Sequence, residues 1–202
     1  DIRDHISMCD GGFIMPYCFK ETEIKKANKQ LLELVGSLKK KGFYFLPFVD
    51  NSIDEKLEIK EIIGLKEHFL IHDSFRYHER IESYKYLNEK KKMLLLHCDN
   101  SIRIDYVKYL TQEFPNMIIQ VAHLGVFRNS YKASKLVIDE LSVLENVYFD
   151  ISTVFDSEIV KYAVSKMPTR VLFGTDVPYI QDKLYFEKYK NVIKMAGISD
   201  EA

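Results

Sequence analysis

The sequence predicts an α/β fold in which parallel strands alternate with helices, and two observations carry that prediction. Seven short apolar runs recur along the chain, nearly all of them followed by a polar turn and an amphipathic segment. The polar residues best suited to chemistry stand at the C-terminal ends of those runs, where the βα loops of such folds converge.

The first run, 12–16 (GFIMP), precedes a helix over 24–41. There Ile24, Ala27, Leu31, Leu34, Val35 and Leu38 recur at spacings of three and four, with lysines on the other face. Gly42 follows where a C-terminal cap belongs. Runs 43–49 (FYFLPFV) and 62–68 (IIGLKEH) come next, and the second leads to an amphipathic stretch over 76–90. Run 93–98 (MLLLHC) is followed by a helix over 102–114 that Pro115 stops. Run 117–123 (MIIQVAH) precedes a helix over 134–144, and run 147–151 (VYFDI) precedes one over 157–167, ended by Pro168. Run 170–174 (RVLFG) and a helix over 184–196 close the series, with Gly197 after them.

Runs that are almost wholly apolar suit parallel strands covered on both faces better than half-exposed antiparallel ones. No Ser/Pro/Gly-rich linker interrupts the pattern, so residues 1–202 read as a single domain. Seven strands and six helices fit an open sheet, and they equally fit an eight-stranded barrel lacking one strand. A complete (β/α)₈ barrel takes roughly 250 residues; this chain has 202.

Composition narrows the function classes. Lys and Arg number 29 against 30 Asp and Glu, a net charge of −1, which favours neither nucleic acid nor an anionic membrane as partner. No apolar run approaches the ~20 residues needed to span a bilayer. The three cysteines, Cys9, Cys18 and Cys98, form no CxxC pair and read as free thiols of a reducing compartment, with the cytoplasm as the default.

The strand ends carry metal-competent side chains. The third run ends in Lys66 and His68, alternate residues that share a face. The fourth ends in His97, the fifth in His123 with Gly125 behind it, the sixth carries Asp150 and Ser152, and after the seventh comes Asp176. Neutral imidazole suits Zn²⁺, and carboxylate adds a harder, anionic ligand. A lone histidine after an apolar run is more often structural, and His68 is read that way. His97 and His123 differ because they end successive strands, with an acid ending a later one. Lys66 reads as a surface lysine, a substrate clamp or a carboxylate partner. Asp150 reads as a turn cap and Ser152 as a helix cap. His5, His72 and His78 read as solvated, and Cys98 as packing.

Several of these elements resemble one family. Gly64-Leu65-Lys66-Glu67-His68 resembles the G-[IV]-K-x-H strand of the amidohydrolase-related family, the metal-dependent TIM-barrel branch that includes aminocarboxymuconate-semialdehyde decarboxylase. Leu95-Leu96-His97 and Val121-Ala122-His123-Leu124-Gly125 are similar to its later histidine elements. Asn146–Ser152 (NVYFDIS) resembles its NVYxDxS strand, and 170–178 (RVLFGTDVP) its R-hydrophobic-LFG-[ST]-D-x-P signature. The matches run in family order from about residue 12 to residue 200.

The resemblance implies a (β/α)₈ TIM barrel and a hydrolase or lyase using one or two divalent metals, usually zinc, with Mn²⁺ or Fe²⁺ as alternatives. It implies that His97 is a metal ligand and that His123 is a ligand or the acid/base histidine. Asp176 would bind metal and orient or deprotonate the attacking water. Lys66, or Arg128 in the loop after His123, would hold a substrate carboxylate. The partner implied is a small polar molecule, and a homodimer is one option for assembly.

One family feature is absent. The family opens with an H-x-H pair on its first strand, and this sequence has only Asp4-His5-Ile6 near its start. On family spacing that strand would lie upstream of Asp1, and the final helix beyond Ala202. The expectation is a barrel incomplete at both ends, read first as a portion of a longer protein, because losing the first strand would leave two barrel edges unpaired; a relative without the H-x-H pair, binding metal weakly or through other ligands, is the alternative. The expected function is a metal-dependent hydrolase using activated water. A non-oxidative decarboxylase of the same fold, or an inactive barrel serving as a binding protein, stands as the alternative.

Overall fold

The computed structural model describes residues 10–16, 18, 20–37, 42–49, 60–69, 78–97, 103–126, 130–176 and 185–198. Among them all seven apolar runs contribute strands: β1 (Gly12–Ile14), β2 (Phe43–Phe45), β3 (Gly64–His68), β4 (Met93–His97), β5 (Ile118–Val121), β6 (Val147–Asp150) and β7 (Val171–Leu172). The helices are α1 (Ile24–Ser37), α2 (Ile81–Glu89), α3 (Ile104–Glu113), α4 (Tyr131–Leu141), α5 (Ser157–Lys166) and α6 (Tyr185–Ala196). Every strand pair whose register is known is parallel. The fold is α/β, as the alternation of runs predicts.

The chain forms two compact units, one of Asp1–Leu96 with Phe114–Ile118, the other of His97–Glu113 with Ile119–Ala202. In the first, β1 pairs with β2, and parallel bridges at Phe45–Ile62 and Phe48–Lys66 carry the arrangement on toward β3. Gly64 lets β3 approach its neighbour β4, since a Cβ there would sit 2.0 Å from the Met93 carbonyl oxygen. Phe45, Leu46, Ile62, Leu65, Leu87 and Leu94 are fully buried. Removing such side chains from water is the main force holding the unit together, at roughly 1.5–3 kcal/mol each.

Several polar groups are sealed into that unit, Asn28 and Glu67 among them. Asn28 on α1 accepts from the Phe48 backbone N–H (2.8 Å) and donates to the Phe48 carbonyl (2.9 Å), pairing backbone that β2 leaves unmatched. Glu67, on the face of β3 opposite Lys66, has no exposed surface. It accepts from the Tyr84 hydroxyl at 2.6 Å and pairs with the Arg80 guanidinium at 2.9 Å. Burying a carboxylate is tolerable only with such partners. Lys66 is buried too, which removes its surface reading.

In the second unit β5, β6 and β7 lie side by side, with Val121 opposite Phe149 and Asp150 opposite Leu172. Val107, Leu110, Ile119, Val121, Ile138, Phe149, Ile159 and Ala163 form the buried packing between strands and helices. Helix α4 begins at Tyr131, three residues earlier than its apolar period suggests, because the Ser130 hydroxyl accepts from the Ala133 N–H. Helix α5 is capped by Asp156, which accepts from the Glu158 and Ile159 N–H groups. That corrects the expectation for Ser152, which caps no helix. The arginine of the RVLFG run closes the turn into β6: Arg170 donates to the carbonyls of Ser142, Leu144 and Val147 at 2.6–2.9 Å.

Candidate active site

The site lies within the second unit, at the C-terminal ends of its strands. His97 closes β4 and is 5% exposed; His123 follows β5 and is 2% exposed. Their rings meet edge to face, with centroids 4.9 Å apart, and His123 Nε2 lies 3.1 Å from His97 Nδ1. The two histidines singled out by position are thus in direct contact, although 26 residues separate them.

His123 does not sit on its strand. Extended backbone ends at Val121, and a helical turn over Ala122–Gly125 carries His123 (φ 56°, ψ 34°) and Leu124 (φ 50°, ψ 32°) in the left-handed region. Gly125 follows at φ +79°, and a Cβ there would stand 2.4 Å from Val137 Cγ1. The glycine of the H-x-G element therefore lets the turn press against α4. Left-handed backbone recurs after the neighbouring strands, at Thr153 (φ 62°) beyond β6 and at Asp176 (φ 55°) beyond β7. Non-glycine residues held there cost roughly 1–2 kcal/mol each, and such strain gathers where side chains must be aimed.

The ring of His123 is fixed from behind. Its Nδ1 lies 2.8 Å from the Ser152 carbonyl oxygen and 2.8 Å from Ser152 Oγ. A carbonyl can only accept, so Nδ1 carries the proton and neutral His123 presents a bare Nε2 toward His97. Asp150, 4% exposed, accepts the His123 and Ser152 backbone N–H groups at 3.1 Å each on Oδ1, together with the Ser152 hydroxyl. Its Oδ2 accepts from Gln120 Nε2 at 2.8 Å. This orients the Gln120 amide and leaves its Oε1 buried and, among the described residues, without a hydrogen-bond partner.

The spacing of the pair suits two ligands of one metal ion. Two tetrahedral ligand nitrogens on one zinc ion stand about 3.3 Å apart, close to the 3.1 Å between these two. A backbone carbonyl on the far ring nitrogen is the usual support of a ligating histidine. Among the described residues no group of three or more His, Cys, Asp or Glu side chains is disposed to hold a metal ion. Asp176, half-buried beyond β7, is not gathered with the histidines in such a group. Lys66 and half-buried His68 belong to the other unit, His78 is exposed as expected, and Arg128 and Cys98 lie outside the described residues.

Sequence reasoning missed Gln120 and undervalued Asp150 and Ser152. Each is a polar residue in or just beyond an otherwise apolar buried run, and that was the available signal. Among the described residues no helix is long and apolar enough to cross a membrane.

Comparison with known proteins gives the family and the fold. The family model described as Amidohydrolase matches residues 2–202. No curated protein matches the chain. Among solved structures, the probable 2-pyrone-4,6-dicarboxylic acid hydrolase of Acinetobacter baumannii, with citric acid bound, superposes with a TM-score of 0.70 at 13% identity, over 97% of this chain and 82% of that one. A Pseudomonas putida protein assigned the same activity gives 0.75 at 13% identity, over 99% and 81%. An uncharacterised TIM-barrel protein of Bordetella bronchiseptica gives 0.58 at 11% identity, over 93% and 78%. At these identities the likeness establishes the fold, which is that of the TIM barrel, and nothing finer.

Proposed function

The chain belongs to the amidohydrolase family, and from that premise we propose that it is a metal-dependent hydrolase acting on a small polar substrate through an activated water. The observation that carries the reading is the buried contact between His97 Nδ1 and His123 Nε2, with the far nitrogen of His123 tied to a carbonyl. Zn²⁺ is the proposed metal, because neutral imidazoles suit a borderline-soft ion. Bound there, a divalent cation would bring the pKa of a water to about 7.

The chain's own residues supply the rest. His97 would be a nitrogen ligand, His123 a second ligand or the acid/base histidine, and Asp176 would bind the metal and orient or deprotonate the attacking water. His123 can act through Nε2 alone, either as ligand or as the group that moves a proton at the scissile bond. Arg128, which follows His123 by five residues in sequence, is the proposed anchor for a substrate carboxylate. Two solved neighbours are assigned to a pyrone dicarboxylate, which is a lactone bearing carboxylates. Carboxylated lactones are accordingly the first substrates to try, with carboxylated amides second.

The test is product analysis in ¹⁸O-water. Hydrolysis predicts one labelled oxygen in the product carboxylate and no CO₂. Release of CO₂ without label would contradict the hydrolase reading and favour a non-oxidative decarboxylase built on the same site.

A further inference from the structure

We propose that Asp150 is a positioning residue: its carboxylate clamps the turns after β5 and β6 together and so fixes which nitrogen of His123 faces the site. The role of His123 rests on the function proposed above; the clamp is a property of the metal-free chain and can fail or stand independently of it.

Asp150 takes four donors, three on Oδ1 and one on Oδ2. One is the backbone N–H of His123, inside a left-handed turn that non-glycine residues adopt uncommonly. Two belong to Ser152, whose carbonyl and hydroxyl receive the proton on His123 Nδ1. The Ser152 hydroxyl has a single hydrogen, and Asp150 takes it. Ser152 Oγ can therefore only accept from the imidazole, and the ring cannot carry its proton on Nε2 without losing both contacts. Asp150 touches the backbone of His123 but not its ring, and it governs the ring through Ser152. Gln120 completes the arrangement by filling Oδ2, which leaves Oδ1 to the two turns.

The experiment uses the full chain, metal-free, with ¹⁵N-labelled histidine, at alkaline pH where imidazole is neutral. Long-range ¹H–¹⁵N spectra report which ring nitrogen is protonated, and amide exchange reports the two backbone contacts. Wild type is expected to show His123 protonated on Nδ1 alone. Asp150→Ala should give a mixture of tautomers and faster exchange at the His123 and Ser152 amides, with zinc affinity lower by about 10–100-fold. Asp150→Asn keeps an acceptor at Oδ1, and the Gln120 amide can turn to match its new NH₂ group. It should preserve the tautomer while exchange at both amides quickens by about tenfold, the loss expected when a charged acceptor becomes neutral. Ser152→Ala keeps the carbonyl and should keep the tautomer.

A wild-type His123 protonated on Nε2 would overturn the proposal, as would Asp150→Ala with wild-type tautomer and exchange. Should Asp150→Ala fail to fold, Asp150→Asn decides: unchanged exchange at both amides overturns the clamp.

Discussion

The backbone N–H of His123 donates to Asp150 Oδ1 at 3.1 Å, across 27 residues of sequence, and both groups are buried. This single bond joins the turn after one strand to the end of the next. It explains how a histidine stays in left-handed backbone in the middle of a buried site. A charge-assisted bond to a carboxylate contributes roughly 1.5–3 kcal/mol, comparable to the cost of the strained turn.

Gly125→Ala should be strongly destabilising. The added methyl would meet Val137 Cγ1 at 2.4 Å on backbone at φ +79°. Overpacking and left-handed strain together predict a loss of about 2–4 kcal/mol, read from urea unfolding. A loss under about 0.5 kcal/mol would mean that the turn does not press on α4 as described.

Thr153→Gly should act in the opposite sense. A β-branched residue at φ 62° is strained, and glycine removes that strain. The expected gain is about 1 kcal/mol in chemical denaturation. Activity should fall, since Thr153 Oγ1 lies 3.3 Å from His123 Nδ1 and helps to enclose the ring.

The buried Glu67 predicts an asymmetry between Arg80 and Tyr84. Arg80→Met removes the charge partner at 2.9 Å and should cost about 3–5 kcal/mol. Tyr84→Phe removes the hydroxyl that donates to Glu67 at 2.6 Å and accepts from Arg80 Nε at 3.1 Å, but leaves the charge pair in place, and should cost about 1–3 kcal/mol. Equal losses would show that the pairing of charge is not what makes the cluster stable.

On the surface, the Lys135 ammonium and then the Tyr162 hydroxyl hold the Asp139 carboxyl below its usual range. A depressed carboxyl stabilises the fold above its unfolded-state pKa of about 3.9, and that contribution is lost as the pH falls through the lower folded value. Both side chains are more than a third exposed, so screening keeps the effect small. Asp139→Asn should flatten the acid limb of a stability–pH curve slightly; a steeper limb would refute the pairing.

How much of this was legible in the sequence depends on where each cause lies. All seven runs became strands, because a parallel strand buried on both faces must be apolar throughout, and that is a local property. Run 117–123 stops at Val121 instead of reaching His123, because the carboxylate that organises the turn is 27 residues away. Nothing in Ala122-His123-Leu124 marks left-handed backbone, and only Gly125 hints at it. Run 170–174 shortened to Val171–Leu172. Helix ends moved for a nearer reason: Ser130 and Asp156 supply caps that the apolar period alone does not register. Contact between His97 and His123 followed from their placement at strand ends, whereas Gln120 was hidden as a single polar letter inside an apolar run, and Glu67 between the more conspicuous Lys66 and His68. Arg128 lies outside the described residues.

The most direct test of the central claim is the metal content of the chain purified without chelator, beside His97→Asn and His123→Asn. A metal site at His97 and His123 predicts about one equivalent or more of zinc or another transition metal in the wild type and at least about a tenfold loss of affinity in each variant. A wild type holding less than about a tenth of an equivalent, or variants that bind as it does, would contradict a metal site at His97 and His123.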